Sequence, residues 1–322
     1  MKKKFLYGAP IVMVVAIVGF ASFSGVEVFA SRDETVQPIN RSVKTTHTEL
    51  ASHSRATDLS NERVQRLFDF SAQSPSKRPY FIELFTSQGC SSCPPAEAWL
   101  SEFKQEPKLW QQYFPIAFHV TYWDYIGWKD PYGQRKFSQR QYDHLNQLNV
   151  KQVYTPQFVV NGQEWRGWFN RVFGTTFSQA PQDSGVLTVQ LDDLVFAAHF
   201  EPTLPNVKGR ASFHMALVSA GLSTYVRSGE NHDKQLQHDF TVRYHQSYDV
   251  SLNQGAFDLK TQLSLDIKDQ LQRIHAEQGG QEKLAWLIWF ELDRKPLQAV
   301  ASWLDKAELA AINHAPVLAI VE

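Results

Sequence analysis

The two cysteines of the chain constrain its fold more than any other feature. Among 322 residues the only cysteines are Cys90 and Cys93, which two serines separate. The apolar run Phe81-Ile82-Glu83-Leu84-Phe85 precedes them and is typical of a strand, and a helical pattern from Pro94 to Phe103 follows. Two intervening residues place both sulfurs on one turn. A disulfide there would open and close with little backbone movement.

The position of this pair favours a reactive thiol. A helix N-terminus carries partial positive charge, which stabilises a thiolate. We therefore expect Cys90 to be the exposed attacking sulfur and Cys93 to be the resolving sulfur. Pro94 weakens the argument, because it disfavours the α conformation at Cys93. Two alternatives stay open: a structural disulfide, which so short a loop stabilises little, and a copper or zinc site, which needs further ligands.

The segment from 79 to 180 alternates strand and helix patterns. Its order is β-α-β-α-β-β, and the last two strands are joined by Asn161-Gly162, a strong hairpin signal. The predicted elements are strand Phe81–Phe85, helix Pro94–Phe103, strand Pro115–Val120, helix Gly133–Leu148, strand Phe158–Val160 and a strand near Gln163–Trp165. This half is predicted to be an α/β domain.

In the segment from 181 to 322, apolar and polar residues alternate with a period of two residues. About seven apolar runs with short polar breaks predict an all-β domain of the β-sandwich class. The runs are Val186–Leu191, Val195–Phe200, Ala211–Ser219, Asp239–Leu252, Phe257–Leu265, Leu284–Leu292 and Leu297–Leu304. The predicted fold class is therefore α/β plus all-β, in two domains.

The N-terminal 78 residues predict export. Residues 1–30 join three lysines to an apolar run at 5–23 and to small residues near Ala30, the parts of a signal peptide. The run is also near the roughly 20 residues that span a bilayer, so a retained membrane anchor is the alternative. Residues 31–78 are polar and predict a spacer with one short helix around Val64, Leu67 and Phe68.

Charge and composition exclude several classes of protein. The formal net charge is −1 and the only basic run is Lys2-Lys3-Lys4, so nucleic acid is not an expected partner. Aromatic residues make up 13% of the chain, which excludes a wholly disordered protein. Membrane contact is expected only through the N-terminal segment.

Three motifs resemble a known family. They are the segments 83–96, which contains both cysteines, 119–130 (HVTYWDYIGWKD) and 153–162 (VYTPQFVVNG). Together they are similar to the exported thioredoxin-like family catalogued as domain of unknown function 1223, and the resemblance covers roughly Tyr80 to the C-terminus. It implies a thioredoxin-like fold, and it leaves the activity open because that of the family is not established.

The resemblance also implies roles for single residues. In the thioredoxin fold a cis-proline loop lies against the cysteine pair and holds the substrate chain, so Thr155 and Pro156 are expected to face the sulfurs. Glu83 stands about where thioredoxins keep a buried acid, and burial would raise its pKa and make it a base for Cys93. A strand residue that faces solvent is the alternative for Glu83.

Other candidate residues lie beside these motifs. Tyr122 and Trp123 belong to an aromatic cluster that predicts a groove for an extended polypeptide, with core packing as the alternative. His119 and Asp124 flank this cluster, and a histidine there could tune a thiol. Two further polar motifs, Gly229-Glu230-Asn231 and His238-Asp239, are predicted to lie in loops at a domain interface or turn.

The functional expectation is an exported thiol–disulfide oxidoreductase. It would use no dissociable cofactor and no metal, and it would need a thiol or disulfide substrate and a redox partner that recycles the pair. A non-catalytic binding protein, with a polypeptide groove or a cysteine-bound copper or zinc ion, is the alternative from another class. A redox-inert structural module is the third.

Overall fold

The protein is described here by a computed structural model. It covers residues 68–170, 177, 182–203, 207–277, 282–306 and 308–310. The predicted signal peptide or anchor at 1–30 and the spacer as far as residue 67 lie outside the described residues. Among the helices that are described, none combines the length and the apolarity that crossing a bilayer requires.

The described chain is mostly β-sheet with few helices. The strands are β1 Asp69–Gln73, β2 Tyr80–Thr86, β3 Tyr113–His119, β4 Gln157–Val160, β5 Gln163–Trp165, β6 Gly185–Asp192, β7 Val195–Pro202, β8 Ala211–Ala220, β9 Leu222–Val226, β10 Lys234–His238, β11 Thr241–Val250, β12 Leu252–Asn253, β13 Ala256–Gln262, β14 Lys283–Leu292 and β15 Lys295–Trp303. The α-helices are α1 Pro94–Ser101, α2 Arg135–Asn146 and α3 Asp266–Glu277. Short 3-10 helices cover Glu102–Gln105, Asp124–Ile126 and Gly167–Asn170.

One sheet of eight strands carries the candidate site. Its order is β15-β14-β8-β11-β3-β2-β4-β5. Strands β2 and β3 are parallel, and β3 also meets β11 in parallel where Thr241 lies opposite Ala117. The Ala117 amide donates to the Phe240 carbonyl (2.8 Å), which joins the two halves of the sequence in one sheet.

Helices α1 and α2 pack on opposite faces of this sheet. Strand β2 alternates, so Ile82 and Leu84 share a core with Ala96 of α1, while Phe81 and Phe85 share a core with Phe137 of α2. The same alternation puts Glu83 on the α2 face and Thr86 on the α1 face. This assignment of faces decides which acidic group can reach the cysteines.

A second sheet, of five strands, packs against the part of the large sheet that β8, β14 and β15 form. Its order is β1-β6-β7-β13-β12. Phe200 of β7 stacks on Phe290 of β14 with ring centroids 4.1 Å apart, inside a core that also buries Ile267 and Leu271 of α3. Two face-packed sheets agree with the predicted β-rich second half.

Strands β9 and β10 form a separate two-stranded ribbon. Seven residues, 227–233, connect them and are called the ribbon tip below. The ribbon packs on α1 through β10, and its Leu222, Val226 and Leu236 are buried. Neither strand was predicted from the sequence, because their side chains are polar at most positions.

Three further differences from the sequence predictions concern the fold. The spacer does not extend to residue 78, because Phe68 and Phe70 are buried and β1 pairs with β6; Phe68 is not helical and packs edge-on against Trp286. The expected boundary at 180/181 does not separate two sheets, since the eight-stranded sheet takes strands from both sides of it. Helix α3 was not predicted.

Candidate functional site

Cys90 and Cys93 form a disulfide in the loop that joins β2 to α1, with their Cα atoms 5.5 Å apart. Cys93 is the residue before the first turn of α1, and its carbonyl accepts from the amides of Ala96 (2.9 Å) and Glu97 (3.1 Å). Pro94 and Pro95 occupy the first two helical positions, where proline costs little because those amides would lack helical acceptors. Cys93 is itself helical (φ −77°, ψ −38°), so Pro94 does not prevent the helical start.

The two sulfur-bearing residues are both buried, which corrects the prediction that Cys90 is exposed. Cys90 is 1% exposed and Cys93 is not exposed at all, whereas Ser91 and Ser92 between them are exposed. The Ser92 hydroxyl lies 3.3 Å from the Cys90 sulfur. This hydroxyl is a donor that a thiolate at Cys90 could use.

The ribbon tip packs on the backbone of the cysteine loop. Asn231 is fully buried, and its amide group donates to the carbonyls of Gln88 and Cys90, each at 2.9 Å. The Glu230 carboxylate accepts from the Ser91 amide at 2.9 Å, and this bond lowers the pKa of Glu230. The motif at 229–231 therefore holds the loop in place, and it is one reason that Cys90 is not exposed.

Trp123 connects the cysteine loop to the proline loop. Its indole nitrogen donates to the Thr155 hydroxyl at 2.7 Å. On the other side, a methyl group at Gly89 would come within 3.0 Å of the Trp123 Cβ, so this tryptophan lies against the residue before Cys90. The Thr155–Pro156 peptide bond is cis, as the family resemblance implies. Gln157 follows it and pairs with Phe85 near the end of β2, which puts both loops at one end of the sheet.

Tyr122 contacts α2 and the proline loop. Its hydroxyl donates to Gln141 of α2 (3.1 Å) and is also hydrogen-bonded to the Thr155 side chain, and burial raises its pKa. The neighbouring Tyr125 is 82% exposed. Of the two aromatic residues predicted to bind substrate, Trp123 therefore lies against both the cysteine loop and Thr155, and Tyr122 lies between Thr155 and α2.

Glu83 is buried, as predicted, but it does not serve the cysteines. It lies on the α2 face of β2, and its carboxylate accepts from Arg140 at 2.6 Å. Burial alone would raise its pKa, and the charges of Arg140 and His144 outweigh burial and lower it. The prediction of a raised pKa and of a base for Cys93 is therefore wrong, because alternation along the strand turns this side chain away from α1.

Glu97 is the buried acid on the cysteine side of the sheet. It lies four residues after Cys93, so the two side chains share one face of α1. Thr86 donates to its Oε1 at 2.5 Å, and the Nδ1 of His238 contacts its Oε2. Burial would raise the pKa of Glu97, but its interaction with His238 outweighs burial and lowers it.

Gln88 fixes the tautomer of His238. The indole N–H of Trp128, which can only donate, points at the Gln88 amide oxygen (3.0 Å), so the amide nitrogen of Gln88 faces the Nε2 of His238 (3.0 Å). Nε2 must then accept, and the ring proton lies on Nδ1, where it is donated to Glu97.

His119 completes this buried group together with Asp130. The Nδ1 of His119 lies 2.8 Å from the Asp130 carboxylate, which also accepts from the backbone N–H of Gln88 at 2.8 Å. Burial would lower the pKa of His119, and the Asp130 charge outweighs it and raises the pKa. Asp124, the other flanking residue, accepts from the Asp130 amide at 3.3 Å and stays outside the buried group.

Sequence reasoning identified the cysteines, Thr155 and Trp123 but missed Glu97, Gln88 and the roles of Asn231 and His238. Glu97 carried a usable signal, since an acid four residues after Cys93 falls on the same helix face. Asn231 and His238 stand more than 130 residues away in the sequence, and only the tertiary fold brings them to the loop. No local pattern could have indicated their partners.

The family model described as a protein of unknown function (DUF1223) matches residues 81–278 of the chain. The chain belongs to the DUF1223 family. No curated protein matches it. Two solved structures are similar: a protein from Agrobacterium tumefaciens at 22% identity, covering 70% of this chain and 93% of that one with a TM-score of 0.41, and HBP35 of Porphyromonas gingivalis at 15% identity, covering 72% and 77% with a TM-score of 0.45.

Proposed function

We propose that this protein is an exported thiol–disulfide oxidoreductase built on a thioredoxin-like arrangement of β2, α1, β3, β4 and β5. The observation that carries the proposal is the Cys90–Cys93 disulfide between the end of β2 and the first turn of α1. The proline loop at Thr155–Pro156 lies at the same end of the sheet and supports the same assignment. The rest of the chain, with its five-stranded sheet against the large one, supports a β-sandwich-like second half.

The chemistry is exchange of two electrons and two protons with a substrate. In the reducing direction, the Cys90 thiolate attacks a substrate disulfide, a mixed disulfide forms, and one substrate sulfur leaves as a thiolate that takes up a proton. The Cys93 thiolate then attacks the Cys90 sulfur, which releases the second substrate thiol and closes the Cys90–Cys93 disulfide. The oxidising direction is the same sequence reversed. The reducing direction ends with the pair oxidised and needs a dithiol partner that reduces it, whereas the oxidising direction ends with two thiols and needs a disulfide-bearing partner that takes up the two electrons.

The groups around the loop assist these steps. The N-terminal turn of α1 and the Ser92 hydroxyl stabilise negative charge on the Cys90 sulfur. Glu97, buried one helical turn beyond Cys93, is the acid that takes the role first assigned to Glu83. It exchanges a proton with Cys93 as the second thiol becomes a thiolate.

Access to Cys90 requires a local movement. Because Cys90 is 1% exposed, a substrate sulfur reaches it only after the ribbon tip or Trp123 moves off the loop. The tip is the candidate, since the ribbon is a separate sheet and few polar bonds join its tip to the loop. The ring of Tyr125, two residues after Trp123, is exposed and is a candidate contact for the substrate chain.

Export is proposed from the N-terminal sequence together with the disulfide. Disulfides persist in oxidising compartments and are rare in the cytosol. The basic start and apolar run at 1–30 are typical of a signal peptide, and an anchor at 5–23 is the alternative. Thiol or disulfide substrates and the recycling partner would then also be extracytoplasmic.

A second candidate function is favoured by the burial of both cysteines. A non-catalytic binding protein with a structural disulfide would also keep both sulfurs from solvent. The two functions differ in what Cys90 does once Cys93 is removed. The oxidoreductase forms a mixed disulfide that cannot resolve, whereas the binding protein leaves Cys90 unmodified.

The test is a trapping experiment with Cys93→Ser. We expect this variant, purified from the exported fraction, to carry a mixed disulfide at Cys90 that dithiothreitol removes. Mass spectrometry identifies both the site and the partner. The matched control is Cys90→Ser, in which the remaining Cys93 is the more buried sulfur and is expected to trap little. Absence of any adduct in a folded Cys93→Ser variant supports the binding protein and contradicts the oxidoreductase.

A further inference from the structure

Three buried ligand-type side chains converge beneath the cysteine loop from three different elements. Glu97 comes from α1, His119 from the end of β3 and His238 from the end of β10. One potential ligand atom of each lies within 4.8 Å of the other two, and all three residues are buried. Neither cysteine belongs to this group.

His119 provides the independent sign that this group binds a ligand. Its side chain is 1% exposed and its Nδ1 is bonded to Asp130. Its other ring nitrogen, Nε2, is buried and has no hydrogen-bond partner among the residues that the structure describes. A buried polar atom without a partner is costly, so such an atom calls for an explanation. A bound cation would supply the missing partner.

We propose that Glu97, His119 and His238 bind one Zn²⁺ ion. Two imidazoles and one carboxylate form the kind of three-ligand set that zinc takes with a fourth position open to water or to another small donor. At Zn–N and Zn–O distances of about 2.0–2.2 Å, tetrahedral ligand atoms stand roughly 3.4 Å apart. The ligand atoms that lie farthest apart therefore need to close by at most about 1.4 Å, while the hydrogen-bonded atoms of Glu97 and His238 move apart to make room for the ion.

The surrounding hydrogen bonds have the pattern that orients metal ligands. A carboxylate that accepts from the rear nitrogen of a ligating histidine fixes its tautomer and ring position, and Asp130 does this for His119. Thr86 donates to the Glu97 Oε1 and leaves Oε2 for the ion. Asp130 and Thr86 are positioning residues for the site.

His238 must change its protonation to bind. It now carries a proton on Nδ1, which faces Glu97. On coordination through Nδ1 this proton moves to Nε2, and the Gln88 amide turns so that its oxygen accepts it. Trp128, which donates to that oxygen in the present arrangement, then loses this bond. No electron transfer is involved, and the ion stays divalent throughout.

The ion would also fix the ribbon. His238 is the ligand contributed by β10, whereas the other two ligands belong to the body of the large sheet and to α1. Separation of the ribbon from α1 therefore breaks the site. We expect bound Zn²⁺ to slow hydrogen exchange of the backbone amides in β9 and β10 without changing exchange in β6 or β7.

The experiment uses the full chain with the Cys90–Cys93 disulfide intact, after removal of metals with a chelator. With the disulfide closed, neither sulfur can bind, so a result here is independent of any redox activity. Titration calorimetry with Zn²⁺ alone is expected to give one ion per chain. Asp130→Asn is expected to weaken binding by about 10- to 100-fold, and His119→Gln by more than about 100-fold.

The matched control is His144→Gln. His144 is also a buried histidine beside a buried glutamate, Glu83, but it lies on the other face of the sheet. We expect its variant to bind Zn²⁺ as the wild type does. The proposal is overturned if the oxidised wild-type chain takes up no Zn²⁺, or if folded His119→Gln binds with unchanged affinity. Hydrogen exchange is a second, independent test if the calorimetric heats are small. Unchanged exchange of the β9 and β10 amides when Zn²⁺ is added also overturns the proposal.

Discussion

The proposed opening step moves the ribbon tip off the cysteine loop, and Asn231→Ala is the sharpest perturbation of that contact. The wild-type amide group donates to two carbonyls of the cysteine loop, those of Gln88 and Cys90, at 2.9 Å each. Alanine removes both bonds and adds no atom that could clash. Both carbonyls become hydrated once the tip separates from the loop, so the variant changes the balance between closed and open forms.

The size of the effect follows from these two bonds. A hydrogen bond within a folded protein contributes about 1 kcal/mol net, so the closed form loses about 2 kcal/mol relative to the open form. Since 1.4 kcal/mol corresponds to a factor of ten, the open population rises by about 30-fold. When opening and closing are fast relative to the chemical step, the rate of disulfide reduction follows that population.

The assay is the rate at which dithiothreitol reduces the Cys90–Cys93 disulfide, measured by quenched alkylation and mass spectrometry. We expect Asn231→Ala to react about 30-fold faster than the wild type. The control is Tyr225→Phe, which removes the exposed ribbon bond from Tyr225 to Asp233 (2.7 Å) and touches nothing in the cysteine loop. It should react within about twofold of the wild type. If folded Asn231→Ala is reduced at the wild-type rate, the tip does not cover the disulfide.

Four further variants test other parts of the account. Glu83→Gln breaks a buried ion pair and should lower the free energy of unfolding, measured in urea, by about 3–5 kcal/mol. It should leave the reduction potential of the cysteines unchanged. Glu97→Gln should raise that potential by about 30 mV, which is a tenfold change in the equilibrium constant of the exchange. Glu230→Gln removes an exposed negative charge beside the loop and should lower the Cys90 thiol pKa, by less than one unit, in the pH dependence of alkylation. Arg140 lowers the pKa of the two buried glutamates that it contacts, Glu83 and Glu291. The stabilisation from these pairs is therefore complete above the pKa of an unfolded glutamate, near 4.3, and is lost as the pH falls below it. Urea titrations of Arg140→Met should show a lower free energy of unfolding at pH 7 and a shallower decrease of that free energy toward pH 3.

Much of the local structure could be predicted, because it depends on short-range patterns. The apolar run before Cys90 is β2, the Pro94 pattern is α1, and the Asn161-Gly162 hairpin joins β4 to β5 with both residues at positive φ. The joining of the two halves could not be predicted. It depends on the pairing of Thr241 with Ala117, which lie more than 120 residues apart.

The candidate site divides in the same way. The close pairing of the two cysteines was expected from their spacing, and the cis bond before Pro156 was implied by the family resemblance. The role of Glu83 was predicted wrongly because the position of the buried acid was taken from the family resemblance. Alternation along the strand already puts Glu83 and the α1-facing Leu84 on opposite faces of the sheet. The burial of Cys90 was not predictable, because the ribbon tip that covers its loop lies far along the chain.

The most direct test of the central claim is the reduction potential of the Cys90–Cys93 disulfide. The wild-type protein is equilibrated with defined mixtures of reduced and oxidised dithiothreitol or glutathione. The fraction of oxidised protein is then measured by alkylation of the free thiols. A catalytic pair is expected to lie between about −270 and −120 mV, the range of thiol–disulfide oxidoreductases. A value below about −300 mV is typical of a structural disulfide and would contradict the proposed exchange activity.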